Sequence, residues 1–392
     1  MAKPRRVALL IESSRGYGRG LLHGIAEYLR ACGPWTLSFE RHGLYQRVPA
    51  WMGDWHGDGI IARVENRGLA TAIHRLRVPS VDLRGRLRDL PMPAILTDDA
   101  AGTRLAAEHL LERGFRRFAY CGFAGLSYSA ERLRVFSETV QAAGYPCATY
   151  LPPARCRRGD TEQVDQQALA YEKDLARWLR TLPRPVGVMA GNDARGQQIL
   201  NACRDLGIAV PDELAVVGVD NDEVLCELCH PPLSSVAPNT RKIGYEAAAL
   251  LDRLMAGEPP PTEPIYILPL GVVARQSTDI LSFEDRAITA AVRFIREHAC
   301  EGITLEDVLA RVPVSWGTLE RQFHKILGHT PKAEMVRVQL DRVKQLLVET
   351  RLSLKEIAAR AGFRHPEYMC ALFKSKTGKT PGQYRAQGQP RV

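Results

Sequence analysis

The stretch VGVMAGNDARGQQILNACRDLGIAVPDELAVVGVD, residues 186–220, decides the fold. Val186–Ala190 is a short apolar run of strand length, Asp193–Leu206 has helical spacing, and Leu214–Val219 is a second apolar run. Strand, helix, strand in that order is the grammar of a parallel sheet covered by helices. The same alternation extends outward on both sides. Upstream, strands are expected at Val7–Ile11, Thr36–Glu40, Gly59–Val64, Pro79–Asp82, Ala94–Thr97 and Arg117–Cys121, with helices at Leu21–Ala31, Asp99–Arg113, Ala130–Ala143 and Tyr171–Leu182. Downstream come the helix Ile243–Met255 and extended Ile265–Leu268 and Val272–Arg275. So many strands are more than one open sheet carries comfortably, so two α/β lobes are expected, near 5–98 with 238–262 and 99–237 with 263–276. The alternation stops near residue 280. From Phe283 onward all periodicity is helical, which places a boundary within Gln276–Glu284 and divides the chain into 1–280 and 281–392.

Composition agrees with two or three folded domains. The chain has 392 residues, 45% apolar and 25% charged, which excludes wholesale disorder. Lys and Arg number 53 against 44 acidic residues, and the excess is uneven. Residues 281–392 hold 19 basic and 12 acidic side chains, whereas residues 1–280 are nearly balanced at 34 and 32. A polyanion partner is therefore expected at the tail. No run approaches the ~20 apolar residues of a membrane span, and Val7–Ile11 is too short for a signal peptide. A cytoplasmic protein with no membrane partner and free thiols at its nine cysteines is expected.

The tail repeats one motif. Thr304 and Asp307 open a short helix Leu305–Arg311, Pro313 forces a turn, and Ser315 caps Trp316–Leu327, which ends at Gly328. About 50 residues later Ser353 and Glu356 form a capping box for Leu354–Ala361, Gly362 turns, and Pro366 starts a helix to Thr377. One amphipathic helix, Pro331–Glu349, joins the two. Two helix-turn-helix units so joined can set their second helices in successive major grooves ~34 Å apart. Spacing turns Gly317, Glu320 and Arg321 outward on the first of these helices, with Leu319 and Phe323 inward. On the second it turns Pro366, Glu367, Cys370, Ala371 and Lys374 outward, with Arg364 and His365 just before them. Arg321 suits guanine and Glu320 cytosine, while Lys374, Lys376 and Lys379 suit phosphates. A small helical bundle with a solvated basic face is the alternative that charge and periodicity alone leave open.

These residues carry a resemblance. Leu319-x-Arg321-x-Phe323, Gly328-x-Thr330-Pro331, Ile357-Ala358-x-x-Ala361-Gly362-Phe363, Phe373-Lys374, Gly378-x-Thr380-Pro381 and Tyr384-Arg385 resemble the DNA-binding domain of the AraC/XylS family of transcription regulators.

At the front, Gly16-Tyr17-Gly18-Arg19-Gly20 follows a strand and opens a helix. It approaches a dinucleotide fingerprint but has Leu21 where the third glycine belongs, so an NAD oxidoreductase stands as an alternative. A flexible turn and a ligand-facing loop are the other readings. Asp98-Asp99, Arg132, Asn192-Asp193 and Asp220-Asn221-Asp222 lie at strand ends, where ligands of α/β sheets bind. Carboxylates, an amide and a guanidinium can each bond two neighbouring hydroxyls, and Tyr17 can cover a sugar face. Thr97-Asp98-Asp99-x4-Arg104, Gly114-x-Arg116-Arg117-Phe118, Gly191-Asn192-Asp193 and Val216-Val-Gly-Val-Asp220 resemble the sugar-sensing core of lactose-repressor-type proteins, itself similar to the periplasmic sugar-binding fold. That resemblance implies ligand positions at Arg132, Asn192, Asp193 and Asp220. Glu65, beyond the third strand, and Tyr17 complete the expected set.

The two halves in this order resemble the xylose-operon family of regulators. The resemblance implies D-xylose as effector, a homodimeric activator, paired operator half-sites in DNA, and RNA polymerase as a further partner. Cys226-x-x-Cys229-His230 matches a haem-attachment string, but nothing marks the chain for export, and it reads as a coincidental loop. No phosphate-binding loop, nucleophile elbow or other catalytic constellation occurs, so no enzyme, cofactor or metal is expected.

Overall fold

The computed structural model describes residues 4–39, 48–87, 92–152, 172–280 and 285–388. Glu40 and Tyr171, expected at the ends of a strand and a helix, and part of the expected boundary Gln276–Glu284, lie outside them. The chain divides into two compact units, 1–107 with 117–278 and 108–116 with 279–391.

The first lobe of the first unit begins with β1 (Arg6–Leu10), α1 (Gly16–Cys32), β2 (Thr36–Phe39), β3 (Gly59–Ala62), α2 (Arg67–Leu76) and β4 (Ser80–Asp82). Its parallel sheet has the order β2-β1-β3-β4, with Val7 opposite Gly59 and Leu9 opposite Ile61. β3 is wholly buried, as a strand covered on both faces must be. The chain then enters β5 (Ile95–Thr97), α3 (Asp99–Glu112), β6 (Phe118–Cys121), α4 (Ser127–Ala142), β7 (Cys147–Tyr150), α5 (Glu172–Thr181), β8 (Val186–Ala190), α6 (Asp193–Leu206), β9 (Leu214–Val219), α7 (Glu223–Leu228) and β10 (Ser234–Ala237). α8 (Thr240–Met255) returns to pack on α1, and β11 (Ile265–Ile267) and β12 (Gly271–Val273) follow. The second sheet has the order β12-β10-β9-β8-β6-β7, all parallel except β12. Segment 263–276, expected with this lobe, is split. β12 joins β10, but β11 pairs with β5 in a separate two-stranded sheet.

α1 starts at Gly16, five residues before the expected Leu21. Its glycines serve packing. A Cβ on Gly18 would lie 1.9 Å from the Glu12 carbonyl oxygen, and one on Gly24 would lie 1.9 Å from that of Arg241. α8 answers with Gly244, whose Cβ would lie 2.0 Å from the Leu21 oxygen. The fingerprint-like string is thus the close-packed face of a helix.

The second unit is helical: α9 (Arg286–His298), α10 (Leu305–Leu309), α11 (Trp316–Leu327), α12 (Pro331–Glu349), α13 (Leu354–Arg360), α14 (Pro366–Thr377) and α15 (Pro381–Gly388). Both capping boxes form, at Thr304–Asp307 and Ser353–Glu356. Two cores result. Ile288, Val292, Val308, Leu319 and Phe323 build one, and Val343, Leu347, Ile357, Met369 and Phe373 the other. α12 feeds both, with Met335 in the first and Leu340 in the second. Buried Gln339 on α12 ties them together, donating to the Ala299 and Gly362 carbonyls at 3.0 and 3.2 Å. Gly362 turns at φ 76°, and a Cβ there would meet the Ala299 oxygen at 2.7 Å.

Candidate functional site

The carboxyl ends of both parallel sheets face one cleft, because every βα turn in such a sheet emerges on that side. From the first lobe, Glu12 follows β1, Arg63 and Glu65 follow β3, Arg84 follows β4, and Tyr17 sits in the first turn of α1. From the second come Asp99 at the start of α3, Tyr128 and Arg132 on α4, Asn192 and Asp193 at the start of α6, and Asp220 after β9.

Arg132 is the hub. Its Nε and Nη2 donate to Asp99 Oδ1 at 2.9 and 2.6 Å, and its Nη1 donates to the Gly191 carbonyl at 2.6 Å. The Asp220 carboxylate lies 3.8 Å away, and the guanidinium stands 4.9 Å from the Tyr128 ring centroid. Asp99 and Asp220 hold the Arg132 charge in place against its burial. Burial pushes the Asp220 carboxyl up, opposed by Arg132 and reinforced by Asp99. Burial, then the charge of Asp220, pushes Asp193 up to about 8. Asp193 accepts the Ser235 hydroxyl at 2.5 Å and the Asp222 amide at 2.8 Å.

Opposite, buried Glu12 pairs with Arg63, whose guanidinium stands 4.8 Å from the Tyr17 ring centroid. Tyr17 shares a hydrogen bond with Thr97 Oγ1 at 2.8 Å, and burial raises its phenol. Glu65, 4% exposed, is held by Arg84 at 2.8 Å and Arg86 at 3.3 Å. Arg84 also reaches across to the Tyr128 ring, 5.4 Å from its centroid. Asn192 donates from Nδ2 to the Tyr128 hydroxyl at 3.5 Å, while its Oδ1 caps α6 by accepting from Arg195.

The six expected ligand residues, Tyr17, Glu65, Arg132, Asn192, Asp193 and Asp220, therefore line one cleft. Glu12, Arg63, Arg84 and Tyr128 join them. The first three directly follow β1, β3 and β4, so the strand-end rule that marked Asp220 applied to them too. Each of three guanidiniums lies against a carboxylate: Arg63 against Glu12, Arg84 against Glu65, which Arg86 shares, and Arg132 against Asp99. Such a cleft offers directed donors and acceptors beside aromatic rings and little surplus charge, which suits a neutral polyol better than a phosphate.

Cys226 and Cys229 are buried in the second lobe's core. Cys229 Sγ lies 3.2 Å from the Leu225 carbonyl, and burial pushes its thiol up to about 11. His230 points to solvent.

In the second unit, α11 buries Leu319 and Phe323 and exposes Gly317 and Arg321, with Glu320 half-buried. α14 buries Met369 and Phe373 and exposes Glu367, Tyr368, Ala371 and Lys374, with Arg364 and His365 exposed before it. Cys370 departs from expectation. It is half-buried against the second core, because at one position past Met369 it lies at the edge of the apolar stripe.

Family models match in three stretches: an XylR N-terminal domain over residues 6–95, a periplasmic binding protein-like domain over 107–278, and a helix-turn-helix domain over 308–387. The xylose operon regulatory protein of Escherichia coli strain K12 is 34% identical over 391 residues, covering 98% of this chain and 97% of that protein. Its counterpart in Haemophilus influenzae strain Rd is 32% identical, covering 97% and 98%. A solved structure titled as the xylose-binding transcription activator xylR is 33% identical, covers 98% of both chains and superposes with a TM-score of 0.61. The string that suggested an oxidoreductase is accounted for by helix packing, and the relatives are regulators, not enzymes. Cleft, tandem helix-turn-helix units and full-length similarity converge: the chain belongs to the xylose operon regulatory protein family of DNA-binding transcription regulators.

Proposed function

We propose that residues 1–280 sense a neutral monosaccharide, D-xylose, and that residues 281–392 carry the response to a promoter. The observation that carries this is the Arg132 hub, flanked by Asp99 and Asp220 and facing Arg63, Arg84 and Glu65 from the other lobe. The names of the full-length relatives favour D-xylose among pentoses. Tyr17 covers a sugar face, Glu65, Asn192, Asp193 and Asp220 bond hydroxyls, and Arg132 orients the carboxylates around them. Sugar bonded to both lobes favours their closed arrangement. In a cytoplasmic homodimer, closure changes how the paired helical units are presented to two half-sites, and affinity rises through effective concentration. Arg321 and Glu320 read bases, with Gly317 allowing close approach. Glu367 faces the second half of the site, while Arg364, His365 and Lys374 hold its backbone. Activation then acts on RNA polymerase at the same promoter.

A thermal-shift panel of pentoses, hexoses and NAD on the full chain tests the reading. D-xylose should raise the melting temperature and NAD should not. A shift with NAD alone would overturn it. Asp220→Ala should abolish the sugar shift and leave basal DNA binding.

A further inference from the structure

Asp222, just past the cleft residues, contacts the opposite lobe directly. One carboxylate oxygen accepts the Gly16 backbone N–H at 2.7 Å, and the other lies 3.6 Å from Arg19 Nη2. Gly16 and Arg19 belong to the first turn of α1, in the first lobe, whereas Asp222 ends the turn after β9, in the second. α1 has no cap of its own. Arg15 at its N-cap makes no side-chain cap bond, and the first turn contains no acid. The carboxylate that satisfies this helix terminus comes from across the cleft. Space is reserved for it, since a Cβ on Gly16 would stand 3.0 Å from Asp222 Cγ.

The turn that delivers Asp222 is strained. Asp220 and Asn221 have φ of 108° and 46°, a region that L side chains rarely adopt. Three bonds hold it there. The Asp220 N–H donates to the Val236 carbonyl at 3.1 Å, the Asn221 N–H to Ser235 Oγ at 3.0 Å, and the Asp222 N–H to Asp193 Oδ2 at 2.8 Å. Asp193 and Asp220, the proposed sugar ligands, therefore build the same turn that aims Asp222.

We infer that Asp222 is a latch between the lobes. It touches no sugar. It is a positioning residue that raises the closed fraction of the sensor and connects occupancy at Asp193 and Asp220 to lobe closure. The inference rests on the reading that sugar binds between the lobes. A lower closed fraction raises the apparent Kd in proportion.

The test uses the full chain with D-xylose and L-arabinose as probes. Asp222→Ala should weaken both sugars by about tenfold, the worth of a charge-assisted bond at a partly buried site. The ratio of the two affinities should not move, since nothing touching the sugar has changed. Asp222→Asn keeps an acceptor for Gly16 and should recover most of the loss. Hydrogen exchange of the sugar-free protein provides a second readout. Peptides covering residues 13–20 should exchange faster in Asp222→Ala, while those of α8 stay as in the parent. A changed sugar ratio would make Asp222 a ligand contact, and unchanged exchange at 13–20 would remove the latch. If the parent chain binds neither sugar, the proposed ligand class fails, and the exchange result still decides the latch.

Discussion

Replacing Arg132 with methionine keeps the stem and removes the hub of the cleft. Three hydrogen bonds of 2.6 to 2.9 Å disappear, two to Asp99 and one to the Gly191 carbonyl, together with the 3.8 Å pairing to Asp220. Removing one partner of a buried ion pair costs about 3–5 kcal/mol, mostly because the other charge is left uncompensated. Here the side chains of Asp99 and Asp220 keep 29% and 28% of their exposure, so water absorbs part of that cost. A loss of about 2–3 kcal/mol in sensor stability is expected at pH 8. The loss should shrink toward pH 5. Arg132 lowers the Asp220 carboxyl, so without it that carboxyl titrates higher in the folded chain. A raised folded value means stability present at low pH and lost as pH rises, so the deficit grows as pH climbs above the ordinary carboxylate range. Urea unfolding of the full chain at both pH values, followed by fluorescence and circular dichroism, measures it. Adding Asp99→Asn should return about 1 kcal/mol. A deficit below about 0.5 kcal/mol, or one equal at both pH values, would refute the assignment of Arg132 as hub.

Three further expectations follow from the same structure. Asp193 is pushed up to about 8 from its ordinary 3.8. Its contribution to the sugar-free sensor is therefore fully present below pH 4 and lost as pH rises through 8, and Asp193→Asn should flatten the stability profile over that window relative to the parent. Arg321→Ala should cost about 1–3 kcal/mol at one base position in a competition assay over single-base operator variants. An equal loss on every sequence would make Arg321 a phosphate contact instead. Phe373 is fully buried and edge-on to Tyr384 at 5.3 Å, so Phe373→Ala should destabilise the second unit by about 3–5 kcal/mol while sugar-induced stabilisation of the sensor persists.

The sequence was most informative where one signal governed the backbone. β8, α6 and β9 match their expected bounds because apolar runs and a capped helix agree. α11, α12 and α14 match because Ser315, Thr330 with Pro331, and Pro366 mark where they start, and Gly328 and Gly378 end α11 and α14. α2 was not anticipated, although Asn66 caps it and Leu69, Ala70, Ile73 and Leu76 form an apolar stripe, a signal that the short run between two strands left unread. The beginning of α1 was misread because glycine suggests a loop, and only tertiary packing against α8 shows why a helix needs it there. β11 was misplaced for a similar reason, as nothing local records that its partner is β5. In the cleft, Asp193 and Asp220 stood out as polar residues at strand ends, whereas Arg132, expected with them at a strand end, lies within helix α4 and reaches the cleft from its second turn. Glu12, Arg63 and Arg84 met the same criterion but were not singled out, because the pairings Arg63–Glu12 and Arg84–Glu65 join the ends of different strands and have no local signature.

The most direct test is operator binding by the full chain, titrated with and without D-xylose at fixed salt and checked by calorimetry. The expected result is measurable heat on sugar addition and tighter, simultaneous occupancy of two half-sites, both lost in Asp220→Ala. Unchanged operator affinity despite bound sugar would contradict the coupling of cleft to promoter, and the absence of heat with every common monosaccharide would contradict the sensor itself.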